Sequence, residues 1–408
     1  MEMKKKDSGL HDVIAIAKDR IYLFMFYTVR YIGITYEKIH SRFCDIENNK
    51  VVFDNFGGRG YGDSPKYIAE EIRRQGLNWD LVWLANDVNT PVPQGIRVVR
   101  EGTGKAVWER ATAKVWVDNI RWLVRPKKRT GQICLQTWHG GLNFKYVEGA
   151  VADKLTRAYI RMAKEDGKNC DGIVSGCALR SEEYRKYFWL GEQTEVLEFG
   201  LPRNDILFRQ DVISKKYLSV RRHFGLNPDQ KVVLYMPTFR DDGSMKGYAL
   251  DYEGLLRALE RKLGEDCAII VRLHPNAQRL TDSIPYSKKI VNGTGYPDAQ
   301  ELYMASDIMI TDYSSAAFDF ALLERPVFLC LLDHADYVKM RGLNQVFDSC
   351  PFPHCYSNEE LIAAIENFSD SEYESKMNEF KKIWKPFDNG HAAEQIVEWL
   401  KQKIEIKQ

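Results

Sequence analysis

Apolar residues along this chain fall in short β-branched and aromatic runs separated by stretches with helical spacing. KVVFDNF (50–56) reads as a strand, followed by the glycine-rich GGRGYGDSP (57–65) and by a helix over KYIAEEIRRQ (66–75), where Ile68 and Ile72 lie one turn apart. Further strands are predicted at DLVWLAN (80–86), IRVVR (96–100), KVWVDN (114–119), QICLQTW (132–138), GIVSGC (172–177) and TEVLEFG (194–200). A charged helical segment at 214–226 leads into a second series. Strands running into loops are expected at 231–239, 267–275 and 306–315, and a strand at 326–333. Helices are expected at 251–264, 316–325, 358–368 and 391–404. Such alternation signals α/β layers with parallel sheets, here two doubly wound domains meeting near 205–228. Ligands of open α/β sheets bind beyond the carboxyl ends of the strands. The informative loops are therefore 56–65, 137–145, 175–178, 237–243, 273–277 and 311–316, on the walls of one cleft.

Composition narrows the classes. The 408 residues, 44% hydrophobic and 12% aromatic, can fill two or three cores, which excludes global disorder. Lys+Arg at 58 against Asp+Glu at 57 leaves no surplus charge to attract nucleic acid. The cysteines are scattered without a CxxC pair, and Cys134, Cys267 and Cys330 sit in apolar runs. That fits reduced thiols in a cytosolic compartment rather than a disulfide framework or zinc site. The start MEMKKK leads into no apolar signal core. The run IYLFMFYTV (21–29) is shorter than the about 20 residues a spanning helix needs. With Lys4, Lys5, Lys6, Lys18, Arg20 and Arg30 around it, it reads either as a helix packed on the first domain or as one lying in a membrane interface.

Five loops carry candidate chemistry. ITDYSS (310–315) puts Ser314 and Ser315 at a helix start, where backbone N–H groups and hydroxyls suit a phosphate; the plain alternative is a helix cap. VRLHPN (271–276) puts Arg272 and His274 on one strand face, suited to a pyrophosphate and a proton transfer, or else a histidine hydrogen-bonded within its loop. YMPTFRDDG (235–243) offers Thr238 and Arg240 to a phosphate, while Asp241 and Asp242 are either a metal pair or a solvated turn. GGRGYGDSP has neither GxGxxG nor GxxxxGK[ST] spacing, yet its glycines allow close backbone approach. In QTWHGG (136–141), Gly140 and Gly141 permit a tight turn that bares His139. Alone it would read as a core histidine; paired with His274 at another strand end, it reads as part of an active site.

Taken in order, FDNFGGRGYGDSPKYI, LQTWHGG, YMPTFRDD, VRLHP and ITDYSSAAFDFALLERPV resemble the CDP-glycerol glycerophosphotransferase family, the teichoic acid primases and polymerases of Gram-positive bacteria. The resemblance runs from about residue 50 to 400 and includes FDNGHAAEQIVEWL. It implies a GT-B architecture, two Rossmann-like doubly wound domains facing across a cleft. Residues 1–49 would be an N-terminal helical or membrane-interface segment, 50–210 the acceptor-side domain, 211–390 the donor-nucleotide domain, and 391–408 a helix able to cross back to the first domain. It also implies transfer of an alditol phosphate, most simply glycerol phosphate, from a CDP-activated donor to a hydroxyl of a lipid-linked glycerophosphate or glycan acceptor or growing polymer. CMP would be released, in teichoic acid or capsule-type polymer synthesis.

The acceptor oxygen would attack the donor's β-phosphorus, which requires a base for its proton and cations or dipoles for the phosphate charge. By motif, His139 is the base and His274 stabilises or protonates phosphate oxygens. Thr238, Arg240, Arg272, Thr311, Ser314 and Ser315 would hold the donor phosphates, and Gly57, Gly58, Gly140 and Gly141 would shape the acceptor side. No cofactor, bound metal or nucleic-acid partner is implied, and the enzyme would work as a peripheral protein at the cytoplasmic face of the cell membrane. Rival readings are a CDP-ribitol donor, a nucleotide-sugar glycosyltransferase or epimerase, and a non-catalytic member. One departure stands out: the family commonly continues the His-Gly pair with Thr-Pro-Leu-Lys, whereas here Gly141, Leu142, Asn143, Phe144 and Lys145 follow. That change bears on acceptor geometry.

Overall fold

A computed structural model describes residues 44–121, 128–240 and 244–406, with positions 17, 20, 21, 23–25, 27, 28, 31, 32 and 35. The N-terminal segment 1–32 therefore lies largely outside the described residues, as do Asp241 and Asp242.

Two parallel sheets carry the molecule. The first contains β1 (Glu47–Asp54), β2 (Asp80–Ala85), β3 (Ile96–Arg100), β4 (Ala113–Asp118), β5 (Ile133–Gln136), β6 (Gly172–Val174) and β7 (Glu195–Leu197). Their spatial order is β3-β2-β1-β4-β5-β6-β7. The second contains β8 (Lys231–Met236), β9 (Cys267–Val271), β10 (Ile290–Asn292), β11 (Ile308–Thr311), β12 (Val327–Cys330) and β13 (His354–Cys355), in the order β10-β9-β8-β11-β12-β13. The order reverses between β1 and β4 and again between β8 and β11, so each sheet has its own switch point, where crevices for ligands open. Helices cover both faces, which is why Val51, Phe53, Trp83, Ile269, Ile270 and Ile310 are all buried and the strands read as continuous apolar runs. Register pairs Asp118 with Gln136 and Met236 with Thr311, so neighbouring loops leave each sheet at one level.

Several elements differ from the pattern-based expectation. The helix expected over 316–325 closes at Ala321. Leu322, Leu323 and Glu324 bond back three residues, to Asp319, Phe320 and Ala321. Glu324 is left-handed (φ 58°) shortly before Pro326, so the turn tightens and cannot continue. A helix at Asp370–Trp384, not anticipated, buries Phe380 and Trp384 against Phe318. After it, left-handed Lys385 turns the chain (φ 48°), and Phe387 N–H donates to the Gly176 carbonyl in the first domain. The helix Ala392–Ile406 then buries Ile396, Val397, Trp399 and Leu400 in the core under the first sheet, with Ile68 and Ile72 of the helix Asp63–Arg74.

Joints between the domains include three with buried side chains at their centre. Lys66 Nζ and Tyr67 Oη donate to Asp298 Oδ2 at 2.6 and 2.9 Å. Arg203 bridges Asp63 and Asp319. Phe144, from the loop after β5, is fully buried among Phe318, Phe347 and Phe352 of the second domain.

Beside the Arg203 joint, Asp388 accepts Leu201 N–H at 2.9 Å and the Asn204 amide at 3.1 Å. Burial, with Asp319 nearby, pushes its carboxyl up to about 7 against the pull of the Leu201 N–H. The unfolded chain ionises this group at about 4. Folding therefore takes up a proton between about 4 and 7, and this contribution to stability is lost as pH rises through that window. Asp388→Asn keeps the accepting oxygen without the charge. Urea melts at pH 5 and pH 8 should show wild type losing about 2 kcal/mol more than the variant across the interval.

Candidate active site

Asp54 ends β1 and accepts the N–H groups of Gly57 and Gly58 at 2.9 and 3.2 Å, while Arg110 Nη2 donates to its other oxygen at 2.7 Å. Phe56, Gly57 and Gly58 all have positive φ, and a Cβ on Gly58 would stand 2.9 Å from the Asn86 nitrogen. Glycine is demanded there by the close approach to Asn86. The amides of Gly57 and Gly58 turn inward onto this carboxylate. The loop tip presents Arg59, exposed, whose side chain makes no hydrogen bond or ion pair among the described residues.

The turn carrying His139 is made by Trp138, the left-handed residue there (φ 52°), and not by Gly140 or Gly141, neither of which has positive φ. Trp138 donates its N–H to Gln136 Oε1 at 2.8 Å and meets Phe188 edge-on at 5.0 Å. His139 follows, with Nδ1 2.9 Å from the Asn119 carbonyl beyond β4. Asn119 is wholly buried: its amide donates to Asn55 Oδ1 at 2.8 Å and its Oδ1 accepts Phe56 N–H at 2.8 Å. A carbonyl only accepts, so Nδ1 carries the hydrogen and Nε2 keeps its lone pair. His139 is exposed as a residue, while Phe56 and Trp138 flank its ring at 5.6 and 4.5 Å. Loss of water lowers its pKa, and Arg203 and Arg180 act in the same direction; the Asn119 bond and Asp63 oppose them.

Beyond His139 the chain crosses to the other domain. A methyl placed on Gly140 would stand 3.6 Å from Ser315 Oγ of the second domain, and one on Gly141 3.2 Å from Leu201 Cδ1 within the first. Arg180 Nε donates to the Gly141 carbonyl, and Asn344 donates to the carbonyls of Phe144 and Asn143 at 2.8 and 2.9 Å. The segment that departs from the family pattern is thus an interdomain strap, with Leu142 and Phe144 as its anchors.

On the opposite wall His274 is also exposed, with its ring stacked on Phe239 at 5.7 Å. Here Nδ1 accepts the Asn276 N–H at 3.1 Å, so Nε2 carries the hydrogen. Burial lowers its pKa, followed by Arg59 and Lys145, both from the first domain. Ser314 Oγ accepts Ala316 N–H at 3.2 Å, and Ser315 stands at the helix start with its hydroxyl beside Gly140.

Four residues expected at the donor phosphates make bonds within the protein. Arg240 is buried, donating from Nε and Nη2 to Asp333 at 2.5 and 2.9 Å, from Nη2 to Asp312 at 2.8 Å and from Nη1 to the Thr238 carbonyl at 2.6 Å. It is a strut, because desolvated carboxylates on both sides already neutralise it. Thr238 donates its hydroxyl to Asp312 Oδ1 at 2.5 Å. Thr311 is buried and donates to the Met236 carbonyl at 2.6 Å. Arg272 donates Nη1 to the Tyr296 carbonyl at 2.5 Å. Residues overlooked in the sequence are Asn119, Asp312 and Arg203. Each was visible as a polar residue at a strand end or in the GLPRND turn, but nothing in the local pattern marks its partner.

Two facing doubly wound sheets with these loops at their carboxyl edges constitute a GT-B architecture. Residues 35–402 match the family described as CDP-Glycerol:Poly(glycerophosphate) glycerophosphotransferase, and the chain belongs to it. It is 30% identical over 374 residues to the teichoic acid poly(glycerol phosphate) polymerase of Staphylococcus epidermidis, covering 88% of this chain and 51% of that protein. It is 28% identical over 369 residues to the protein of the same name from Bacillus spizizenii, covering 86% of this chain and 91% of that one. The chain spans about half the length of the first two curated polymerases it matches, 51% and 48%. Among solved structures, the wall teichoic acid polymerase TagF superposes with a TM-score of 0.80 at 27% identity, covering 100% of both chains.

Arg240→Met should act on stability. It strands Asp312 and Asp333 in the core, at a cost of roughly 3–5 kcal/mol. Thermal melting should register that loss, whereas a phosphate ligand on the surface of the cleft would leave the melt near wild type.

Proposed function

We propose that the protein transfers glycerol phosphate from CDP-glycerol to a hydroxyl of a lipid-linked acceptor or growing glycerophosphate chain, releasing CMP. One observation carries this reading. His139 and His274 stand on different domains in opposite hydrogen-bonding states, one with an accepting Nε2 and one with a donating Nε2. His139 takes the acceptor's proton as the acceptor oxygen bonds to the β-phosphorus. The bond from that phosphorus to the bridging oxygen breaks, and CMP leaves with the electron pair. His274 Nε2–H donates to a phosphate oxygen, with Arg59 and Lys145 supplying positive charge near it. Ser314 and Ser315 border the same space. The name poly(glycerol phosphate) polymerase on similar proteins, and a TagF variant structure soaked with CDPG (TM-score 0.81, 27% identity, 100% and 99% of the two chains), support the donor and the transferred unit.

A lipid-linked acceptor requires the enzyme to reach a membrane surface. No helix among the described residues is long and apolar enough to cross a membrane. Phe24, Tyr31 and Ile32 are exposed (71, 73 and 58%), and Arg161 lies 5.0 Å from the Tyr27 ring; these apolar side chains and the basic residues around them in the sequence support interfacial attachment.

CMP release should be fast with CDP-glycerol and a glycerophosphate-primed acceptor, and slower with CDP-ribitol or UDP-sugars. His139→Ala should lower turnover by about 100-fold or more; turnover near wild type would remove the base role. Removing residues 1–32 should reduce sedimentation with anionic liposomes, and unchanged partitioning would take the membrane role from that segment.

A further inference from the structure

Asp63, Arg203 and Asp319 come from three separate elements and meet beneath the two reacting turns. Asp63 opens the helix Asp63–Arg74 in a left-handed conformation (φ 55°). Arg203 lies in the tight turn Pro202–Phe208, on the path from the first domain to the second. Asp319 belongs to the helix that follows Ser315. Arg203 Nη1 donates to the two Asp63 oxygens at 3.1 and 3.4 Å, and Nε and Nη2 reach Asp319 Oδ2 at 3.0 and 2.9 Å. Asn204 adds a bond to Asp319 Oδ1 at 3.3 Å. Arg203 is only 4% exposed. A guanidinium is a rigid planar fork, so it fixes the separation of the two carboxylates it spans. Asp319 borders the site: a methyl on Gly141 would stand 3.7 Å from Asp319 Oδ1, while one on Gly140 would stand 3.6 Å from Ser315 Oγ.

We propose that Arg203 is a positioning residue for His139: gripping Asp63 on one domain and Asp319 on the other, it fixes the histidine turn against the serine turn and sets the charge beside the imidazole. The catalytic part of this proposal rests on His139 being the base. The charged groups around the ring are Asp63, Arg203 and Arg180, with Asp319 behind Gly141 and Arg59 on the loop that carries Phe56. Asp63 favours the protonated ring and Arg203 the neutral one. Two partners of one ion pair therefore pull the same histidine in opposite directions. General loosening would behave differently, since readmitted water raises the pKa whichever partner is changed.

The test is an NMR pH titration of the full chain carrying 15N-histidine, with the His139 signal assigned by its loss in His139→Gln. Asp63→Asn should lower the His139 pKa, and Arg203→Met should raise it. Arg203→Lys keeps the charge but cannot span two carboxylates. It should leave the titration near wild type while kcat falls about 10-fold and the donor KM stays within about 3-fold. If His139 is the base, the acid limb of kcat/KM moves to lower pH in Asp63→Asn, following the imidazole. An NMR shift without a limb shift would support the positioning of charge and overturn the base assignment. A folded Asp63→Asn protein whose His139 pKa is unchanged or raised, or an Arg203→Lys enzyme with wild-type kcat, would overturn the proposal. These two conservative variants suffice should Arg203→Met fail to fold.

Discussion

The ion pair of Arg203 with Asp63 and Asp319 is the constraint on which the arrangement of the two domains depends. Stripping water from a guanidinium costs several kcal/mol, recovered only when its donors meet well-placed carboxylates. One carboxylate comes from each domain, so satisfying the charge orients the domains. The other joints close around it. Lys66 and Tyr67 reach Asp298 on one side, and Phe144 enters the second core on the other. The stress of this burial falls on the acids: Asp319 and Asp388 share the Asn204 amide, and burial raises the pKa of both.

The same economy governs the loops. Arg180 holds the carbonyl behind His139, and Arg240 holds Asp312, whose oxygens also take Thr238 N–H, Thr238 hydroxyl and Tyr313 N–H. Buried forks of this kind tie down irregular backbone, because each supplies charge-assisted bonds where ladder bonds are missing. His139, His274 and Arg59 are the exposed side chains that these turns carry, with Ser315 half-buried beside Gly140. Rigid turns carrying exposed polar groups are the arrangement that positions groups for reaction.

The two histidines show how backbone selects chemistry. Both are imidazoles at strand ends with lowered pKa, and by themselves they are equivalent. A carbonyl from Asn119 in one case and an N–H from Asn276 in the other assign the hydrogen to opposite nitrogens. Protonation of His274 would also set Nδ1–H against the Asn276 N–H, so its neutral donor form is favoured. The departure at 141–144 has a matching physical account. Gly141 sits tightly against Leu201, and Phe144, buried among Phe318, Phe347 and Phe352, fastens the histidine turn to the opposite domain.

Local pattern alone determined the layered α/β class, most strands and the family, because strand periodicity and motif order are properties of neighbouring residues. The strand KVVFDNF and the loop ITDYSS were legible for that reason, as was the placement of His139 and His274 at strand ends. The tail helix Asp370–Trp384 was not, since its apolar residues gain meaning only against Phe318. Nor could sequence separate an exposed, unpaired arginine from a buried strut. Arg240 and Arg59 look alike in a string, and they differ because Asp333 lies 93 residues from Arg240 in the chain while no carboxylate pairs with Arg59 among the described residues. Partner, tautomer and burial are long-range properties, fixed only when distant segments pack and exclude water.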